Sequence, residues 1–440
     1  MGHFVPHTDA EIAGMLAFLG LASADELFAA VPAALRLAGG LDMAPGLSEP
    51  DVAAEMGRLA AANSVFPQLV CFAGGGVYDH EVPAATRSLT NRSEFVTAYT
   101  PYQPEVAQGV LQMLFEYQTM VARLAGLEVA NASLYDGASA LVEGVNLAVA
   151  ASGRSTVLAS RGVNPSWRAV LRTFAAGTGH DVIDVDLVDG VTAWPAEGQA
   201  GAVVVQHPNY LGCLEDLDEA RRAADRAGAL LVVASDPVAT GLVRSPGSYG
   251  ADVVVGEGQP FGTPMSFGGP LLGLFACRLS HVRRLPGRLV GETVDVEGRR
   301  AYVTTLRTRE QDIRREKASS NVCTNQTLIA VACAIQLSWL GTGGLRELAL
   351  RCARGARYAR EALLAIDGVV AMAPAPVLRE FAVRTPVPAA TVVERMADEG
   401  FLAGIALPEE YGDGLLVAVT ERRTRDEIDR YVEAVEKVVR

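Results

Sequence analysis

The sequence predicts an α/β fold built on a largely parallel sheet with helices on both faces. Two observations predict it. From about residue 64 to 320, short β-branched runs alternate with Ala/Arg-rich stretches at helical spacing. The runs are apolar throughout rather than every second residue, as strands buried on both faces are.

The elements follow in order. Thr8-Asp9-Ala10-Glu11 is a capping box, with Ile12, Met15, Leu16 and Leu19 behind it at helical spacing. Ser23-Ala24-Asp25-Glu26 repeats the signal, and Ser48-Glu49-Pro50-Asp51 starts a third helix through Met56 and Leu59. Residues 1–63 are therefore expected to be a helical arm that packs on something larger, because helices this short seldom stand alone. The large α/β domain is expected over 64–330. Its candidate strands are Thr156–Ala159, Val182–Val185, Ala202–Gln206, Ala229–Ala234, Val253–Val255 and Leu272–Ala276, several of them separated by helices such as Ser166–Ala175 and Leu217–Ala227. Residues 331–440 read as a small C-terminal α+β domain: helix Arg346–Leu364, strand Leu378–Val383, helix Ala389–Glu399, strand Leu415–Thr420 and helix Arg425–Val439. There is no internal repeat and no low-complexity tract.

A chain of 440 residues is too long for one ordinary core, and half its residues are hydrophobic while a fifth are charged, the balance of a soluble globular protein. The net charge of −13 gives no electrostatic footprint for nucleic acid or an anionic membrane. The six cysteines form no CxxC pair and no metal-type Cys/His cluster, so idle thiols in a reducing cytosol and no metal are expected. The N-terminus lacks a secretory pattern, and Pro6 breaks the myristoylation pattern. No apolar run approaches membrane-spanning length, and the expected location is the cytoplasm.

The chemistry turns on lysine. The chain has two, Lys317 and Lys437. Four segments are expected to meet at the carboxyl ends of the strands, where open α/β sheets place their crevices. In Asn131–Ala140 the chain turns into a helix at Asp136, Gly137 and Ser139, whose backbone N–H groups suit an anion or simply an ordinary cap. Gln206-His207-Pro208-Asn209 puts His207 at a strand end, to stack or hydrogen-bond in the site, or else as a satisfied structural residue. Leu230–Pro237 ends in Asp236, the kind of carboxylate that pairs with the pyridine nitrogen of pyridoxal phosphate (PLP), and equally a turn signal. The fourth segment, Gly256–Gly262, lies one helix-plus-strand unit further on. There a PLP enzyme would carry its Schiff-base lysine, and here the residue is Gln259. An amide cannot condense with an aldehyde. Order and spacing together describe a PLP-type scaffold without its anchor. Lys317 is a poor substitute, being flanked by charges that favour solvation.

Two further stretches are over-specified for loops. Glu94–Glu105 packs hydroxyls, an amide and a carboxylate between prolines, which lower the entropy cost of fixing a loop. Thr308–Lys317 alternates charges before the polar run Ala318–Gln326, which contains Cys323.

On Thr97–Glu105 (TAYTPYQPE), Asn131–Ala138 (NASLYDGA), Val255–Gln259 (VGEGQ), Pro286–Asp295 (PGRLVGETVD) and Thr308–Gln326 (TREQDIRREKASSNVCTNQ), the sequence closely resembles the glycine cleavage system P-protein family, and within it the N-terminal-half subunit. The resemblance runs essentially end to end. It implies a PLP-dependent transferase of fold type I (aspartate-aminotransferase-like) with a mainly parallel seven-stranded sheet. It further implies an oxidoreductase subunit that is inactive alone and joins a homologous subunit 2 as an α2β2 heterotetramer. By the same resemblance, PLP is held covalently by the partner's lysine and not at Gln259. The complex decarboxylates glycine, passes the aminomethyl group to the lipoyl arm of the H-protein and releases CO2. Fold type I dimers build their sites at the subunit interface, so Tyr99, Thr100, Tyr102, Gln103 and Glu105 are the candidates for completing the partner's site. Arg309–Gln326 is the second candidate, as lipoyl entrance or interface structure. Asp136, Gly137, Ser139, His207 and Asp236 would be remnants of a duplicated cofactor site. The competing expectation is a freestanding, non-catalytic scaffold or regulator.

Overall fold

The computed structural model describes residues 6–37, 41–65, 68–96, 101–266 and 268–440, and divides into two compact units, 1–64 and 65–440. In the first unit, helix α1 (Asp9–Leu19) starts on its capping box: Thr8 Oγ1 accepts from the Glu11 N–H at 3.3 Å and Glu11 Oε2 accepts from the Thr8 N–H at 2.7 Å. Helix α2 (Glu49–Ala61) is capped by Ser48. The signal at Ser23 yields only a short 3-10 turn, Ala24–Phe28. No described residue of this unit is buried, and Phe18 is 90% exposed.

The second unit is organised by a seven-stranded sheet. Its strands are β1 (Val129–Ala130), β2 (Thr156–Ser160), β3 (Asp181–Val185), β4 (Ala202–His207), β5 (Leu230–Ser235), β6 (Val253–Glu257) and β7 (Gly273–Cys277), in the order β1-β7-β6-β5-β4-β2-β3. All neighbours run parallel except β7, which is antiparallel to both β1 and β6. The apolar strands are explained by two-sided burial. Val203, Val205, Leu231 and Val233 pack with α3 (Gln108–Ala125) and, further along, α6 (Leu217–Ala227). Ala202, Val204, Val232 and Ala234 face the opposite way, into α4 (Gly137–Ser152) and α5 (Pro165–Thr178). A hairpin of β8 (Leu289–Val294) and β9 (Arg300–Thr305) follows the sheet.

Helix α7 (Thr327–Leu363) joins this core to a second one. Ala330, Cys333 and Ala334 pack in the sheet core, while Ala356, Ala359 and Leu363 pack in the other. Gly341, at φ 61° and ψ −176°, breaks the helix between them. By length and composition α7 is apolar enough to cross a membrane, which corrects the expectation that no stretch comes near. The run escapes notice in the sequence because Thr, Ser, Gln and Gly interrupt it. The second core is a four-stranded antiparallel sheet of β10 (Val370–Ala371), β11 (Glu380–Arg384), β12 (Ile405–Ala406) and β13 (Leu415–Ala418), in the order β10-β11-β13-β12. Helices α8 (Ala389–Asp398) and α9 (Arg425–Val439) cover it.

Candidate active site

The crevice at the carboxyl ends of β4, β5 and β6 gathers Asp236, Glu257 and Trp167, with Tyr78 and Arg379 from distant segments, around a cavity of about 40 Å3. Asp236 follows β5, as a cofactor-binding aspartate would. Its Oδ2 is instead 2.8 Å from a guanidinium nitrogen of buried Arg379, which also lies 3.5 Å over the Tyr78 ring. Burial is the largest influence and pulls the Arg379 pKa down, but Asp236 together with Tyr78, Cys352 and Glu380 outweighs it and holds the guanidinium above its ordinary value. The other carboxylate oxygen accepts from the Val238 N–H at 2.9 Å.

The anion cradle is filled in the same way. Asp136 caps α4 by accepting from the Ser139 N–H at 2.7 Å. The next N–H, that of Gly137, donates to Glu257 Oε2 at 2.9 Å. Glu257 Oε1 accepts from the N–H groups of Gln259 (2.9 Å) and Leu272 (2.8 Å). A carboxylate thus sits at the helix N-terminus where a phosphate would lie. Burial pushes the Glu257 carboxyl up to about 7, against the pull of these three donors. The Trp167 indole closes the space: a Cβ at Gly137 would meet its Cζ2 at 2.2 Å.

Gln259 itself is 1% exposed and fully used. Its Nε2 donates to the carbonyls of Tyr78 (3.0 Å) and Thr263 (2.9 Å), and its Oε1 accepts from the Tyr78 N–H at 3.0 Å. The group expected to hold the ring nitrogen is paired with arginine, the cradle holds a carboxylate, and the remaining volume suits a few waters. Pyridoxal phosphate does not fit the residues present. His207 is buried beside Asp236, and burial lowers its pKa to about 4. The neutral ring accepts from the Glu215 N–H at Nδ1 (3.1 Å), so it serves the turn rather than the cavity, which Gln206 lines instead.

A second cluster forms around buried Arg288, on the far side of the Asn131–Ser139 segment. Arg288 donates to Asn325 Oδ1 (2.7 Å), the Cys323 carbonyl (3.0 Å) and Tyr102 Oη (3.0 Å). Asn325 Nδ2 donates to the Ala132 carbonyl at 2.8 Å, Gln326 N–H to Ser133 Oγ at 3.1 Å, and Cys323 N–H to Tyr135 Oη at 3.1 Å. Tyr102 is 44% exposed, with the guanidinium of Arg307 5.0 Å from its ring centre. Gln103 and Glu105 lie exposed beside it. Tyr99 and Thr100 fall outside the described residues. Four of the five long motifs therefore meet at one arginine.

The residues that sequence reasoning missed are Tyr78, Trp167, Glu257 and Arg379 in the crevice, and Arg288 in the cluster. Glu257 and Arg288 lie inside quoted motifs, and a charge set directly after a glycine in each was the signal. Arg379 and Tyr78 carried none. His80, Cys352 and Glu421 also come within 4.8 Å of one another. Arg379 Nη1 contacts the other ring nitrogen of His80, and a fixed cation there opposes a metal ion. Five cysteines are buried and Cys323 is exposed, all of them free.

The family model described as "Glycine cleavage system P-protein" matches residues 2–435. The chain belongs to the glycine cleavage system P-protein family. A relative from Prosthecochloris aestuarii named probable glycine dehydrogenase (decarboxylating) subunit 1 is 47% identical over 436 residues, covering 98% of both chains. A crystal structure of glycine decarboxylase (P-protein) of the glycine cleavage system, in inhibitor-bound form, superposes with a TM-score of 0.94 at 48% identity, covering 99% of this chain and 100% of that one. Sphingosine-1-phosphate lyase of Burkholderia pseudomallei, at 16% identity and a TM-score of 0.64 over 94% of each chain, shares the fold alone. The P-protein fold is that of the PLP-dependent fold type I enzymes, as expected from the sequence.

Proposed function

We propose that this P-protein chain is subunit 1 of a cytoplasmic glycine dehydrogenase (decarboxylating), paired with a lysine-bearing subunit 2 in an α2β2 heterotetramer. The observation that carries this reading is the match to relatives of that name across 98% of both chains. In this reading PLP is held by subunit 2, where it supplies the electron sink for decarboxylation. The aminomethyl group passes to the lipoyl arm of the H-protein and CO2 leaves. Gln259, stitched to Tyr78 and Thr263, supports that division of labour.

This chain's part is to complete its partner's pocket with the Tyr99–Glu105 loop. Tyr102 Oη accepts from Arg288, so its own O–H stays free to donate to a substrate carboxylate. Exposed Glu105 is available to take or return a proton. The 309–326 stretch, tied to Tyr102 through Arg288, forms the wall past which a lipoyl arm would enter.

Glycine–bicarbonate exchange tests this. The co-expressed subunits with lipoylated H-protein should exchange, and neither subunit alone should. Tyr102→Phe and Glu105→Gln should each lower exchange about tenfold or more without changing assembly on gel filtration. Borohydride reduction should fix pyridoxyl to subunit 2 only. Pyridoxyl on Lys317, or exchange by this chain alone, would overturn the reading. Full exchange in both variants would remove the loop from the site.

A further inference from the structure

A second concavity, of about 210 Å3, shares no lining residue with the Asp236 crevice. It is lined by Arg283, Arg309, Arg314 and Lys317, with the hydroxyl-bearing Thr308 and Ser319. Four cations surround one small space on a chain whose net charge is −13. Among the described residues, none of the four makes an ion pair within 4 Å. The nearby acids leave most of this charge unpaired. Asp312 is turned to Arg307 at 3.4 Å, Glu316 is exposed, and Glu310, whose carboxyl burial raises, is shared electrostatically among Arg288, Arg307 and Arg309.

The floor of this concavity is fixed and its rim is adjustable. Arg309 donates to the carbonyls of Leu285 and Gly287 (3.0 Å to the latter), which holds its guanidinium in place. Burial lowers the Arg309 pKa, and the nearby Glu310 charge only partly offsets it, so the guanidinium is held out of water with its charge incompletely compensated. Arg283, Arg314 and Lys317 are exposed at the mouth. Leu306 and Arg315, both non-glycine, sit at φ 54° on either side of the bend that brings Arg309 and Arg314 to one space. Such conformations cost free energy and persist where the surroundings impose them. Like charges held around a small space repel until an anion enters, and guanidinium forks match tetrahedral oxyanions in geometry. A monocarboxylate would leave most of this charge uncompensated.

We infer that this pocket binds a small doubly charged oxyanion, phosphate or a phosphate monoester. The inference does not rest on the proposed activity. Isothermal titration of the assembled two-subunit complex, at constant ionic strength, tests it with inorganic phosphate and glycerol 3-phosphate as probes and acetate as the monoanion control. Both phosphates should bind saturably if the site accepts esters; binding of inorganic phosphate alone would assign the site to the free anion. Acetate should not bind saturably. The double variant Arg314→Ala/Lys317→Ala, at exposed positions, should keep the parent's melting temperature without phosphate and weaken phosphate binding about tenfold or more. Arg314→Lys, which keeps the charge and loses the fork, should fall between. Absence of saturable phosphate binding, equal affinity in the double variant, equal binding of acetate, or binding by the free chain but not by the complex would each overturn the inference.

Discussion

Replacing Gln259 by alanine removes three hydrogen bonds at a position 1% exposed, and leaves the Tyr78 N–H and the Thr263 carbonyl without a partner, while the Tyr78 carbonyl keeps the His80 N–H at 2.9 Å. At about 1 kcal/mol net per bond the loss is about 3 kcal/mol. A unit of the size of 65–440 unfolds with an entropy of about 0.8 kcal/mol/K, so the midpoint should fall by about 4 °C. Lysine at the same position tests the deeper point. Its ammonium satisfies the two carbonyls, but it offers no acceptor to the Tyr78 N–H and buries a charge. Gln259→Lys should therefore melt no higher than Gln259→Ala. It should also gain no visible PLP absorbance, because Glu257 and Arg379 still fill the crevice. Thermal denaturation followed by circular dichroism, with absorbance after added PLP, reads both. An alanine variant that melts with the parent, or a lysine variant that borohydride fixes to PLP, refutes the reasoning.

Arg379→Leu leaves the Asp236 carboxylate buried without its cation and should cost about 3–5 kcal/mol in urea denaturation. Adding Asp236→Asn should recover most of that loss, and a single variant as stable as the parent would contradict the pairing. Burial pushes the Glu143 carboxyl up to about 7 from the 4.5 of an unfolded chain. Its folded form thus prefers the proton, so the stability it contributes is complete below pH 4.5 and is lost as pH rises through about 7, at most about 3 kcal/mol. Glu143→Gln should flatten the fall in melting temperature between about pH 5 and pH 8, and an unchanged slope would exclude Glu143 as its source.

The strands were legible because two-sided burial leaves a continuous apolar run, and all six expected strands form within a residue or two. The seventh, Val129–Ala130, is two residues at the sheet edge and leaves no run to recognise. Gln259 was legible from its distance to Asp236 along one helix-plus-strand unit. What Gln259 does was not, since Tyr78 lies 181 residues away. The same holds for Asp236: its strand-end position is local information, while the arginine that takes its charge comes from the residue just before β11 in the second sheet. His207 illustrates the opposite case, a histidine at the right strand end whose ring nitrogen is committed to the turn at Glu215. Tyr102 was singled out for its proline-bound loop, and the structure adds what sequence spacing cannot supply, the Arg288 guanidinium that joins four separate motifs.

The carboxylate of Glu257 at the α4 N-terminus bears on nutrition as well as chemistry. An enzyme that takes up a vitamin-derived cofactor gains stability in proportion to the logarithm of cofactor concentration, and forfeits that gain under starvation. Here the groups filling the cradle are tethered to the backbone, so their local concentration does not vary with diet or growth phase. The fold of this polypeptide should therefore not depend on how much cofactor the cell has at hand.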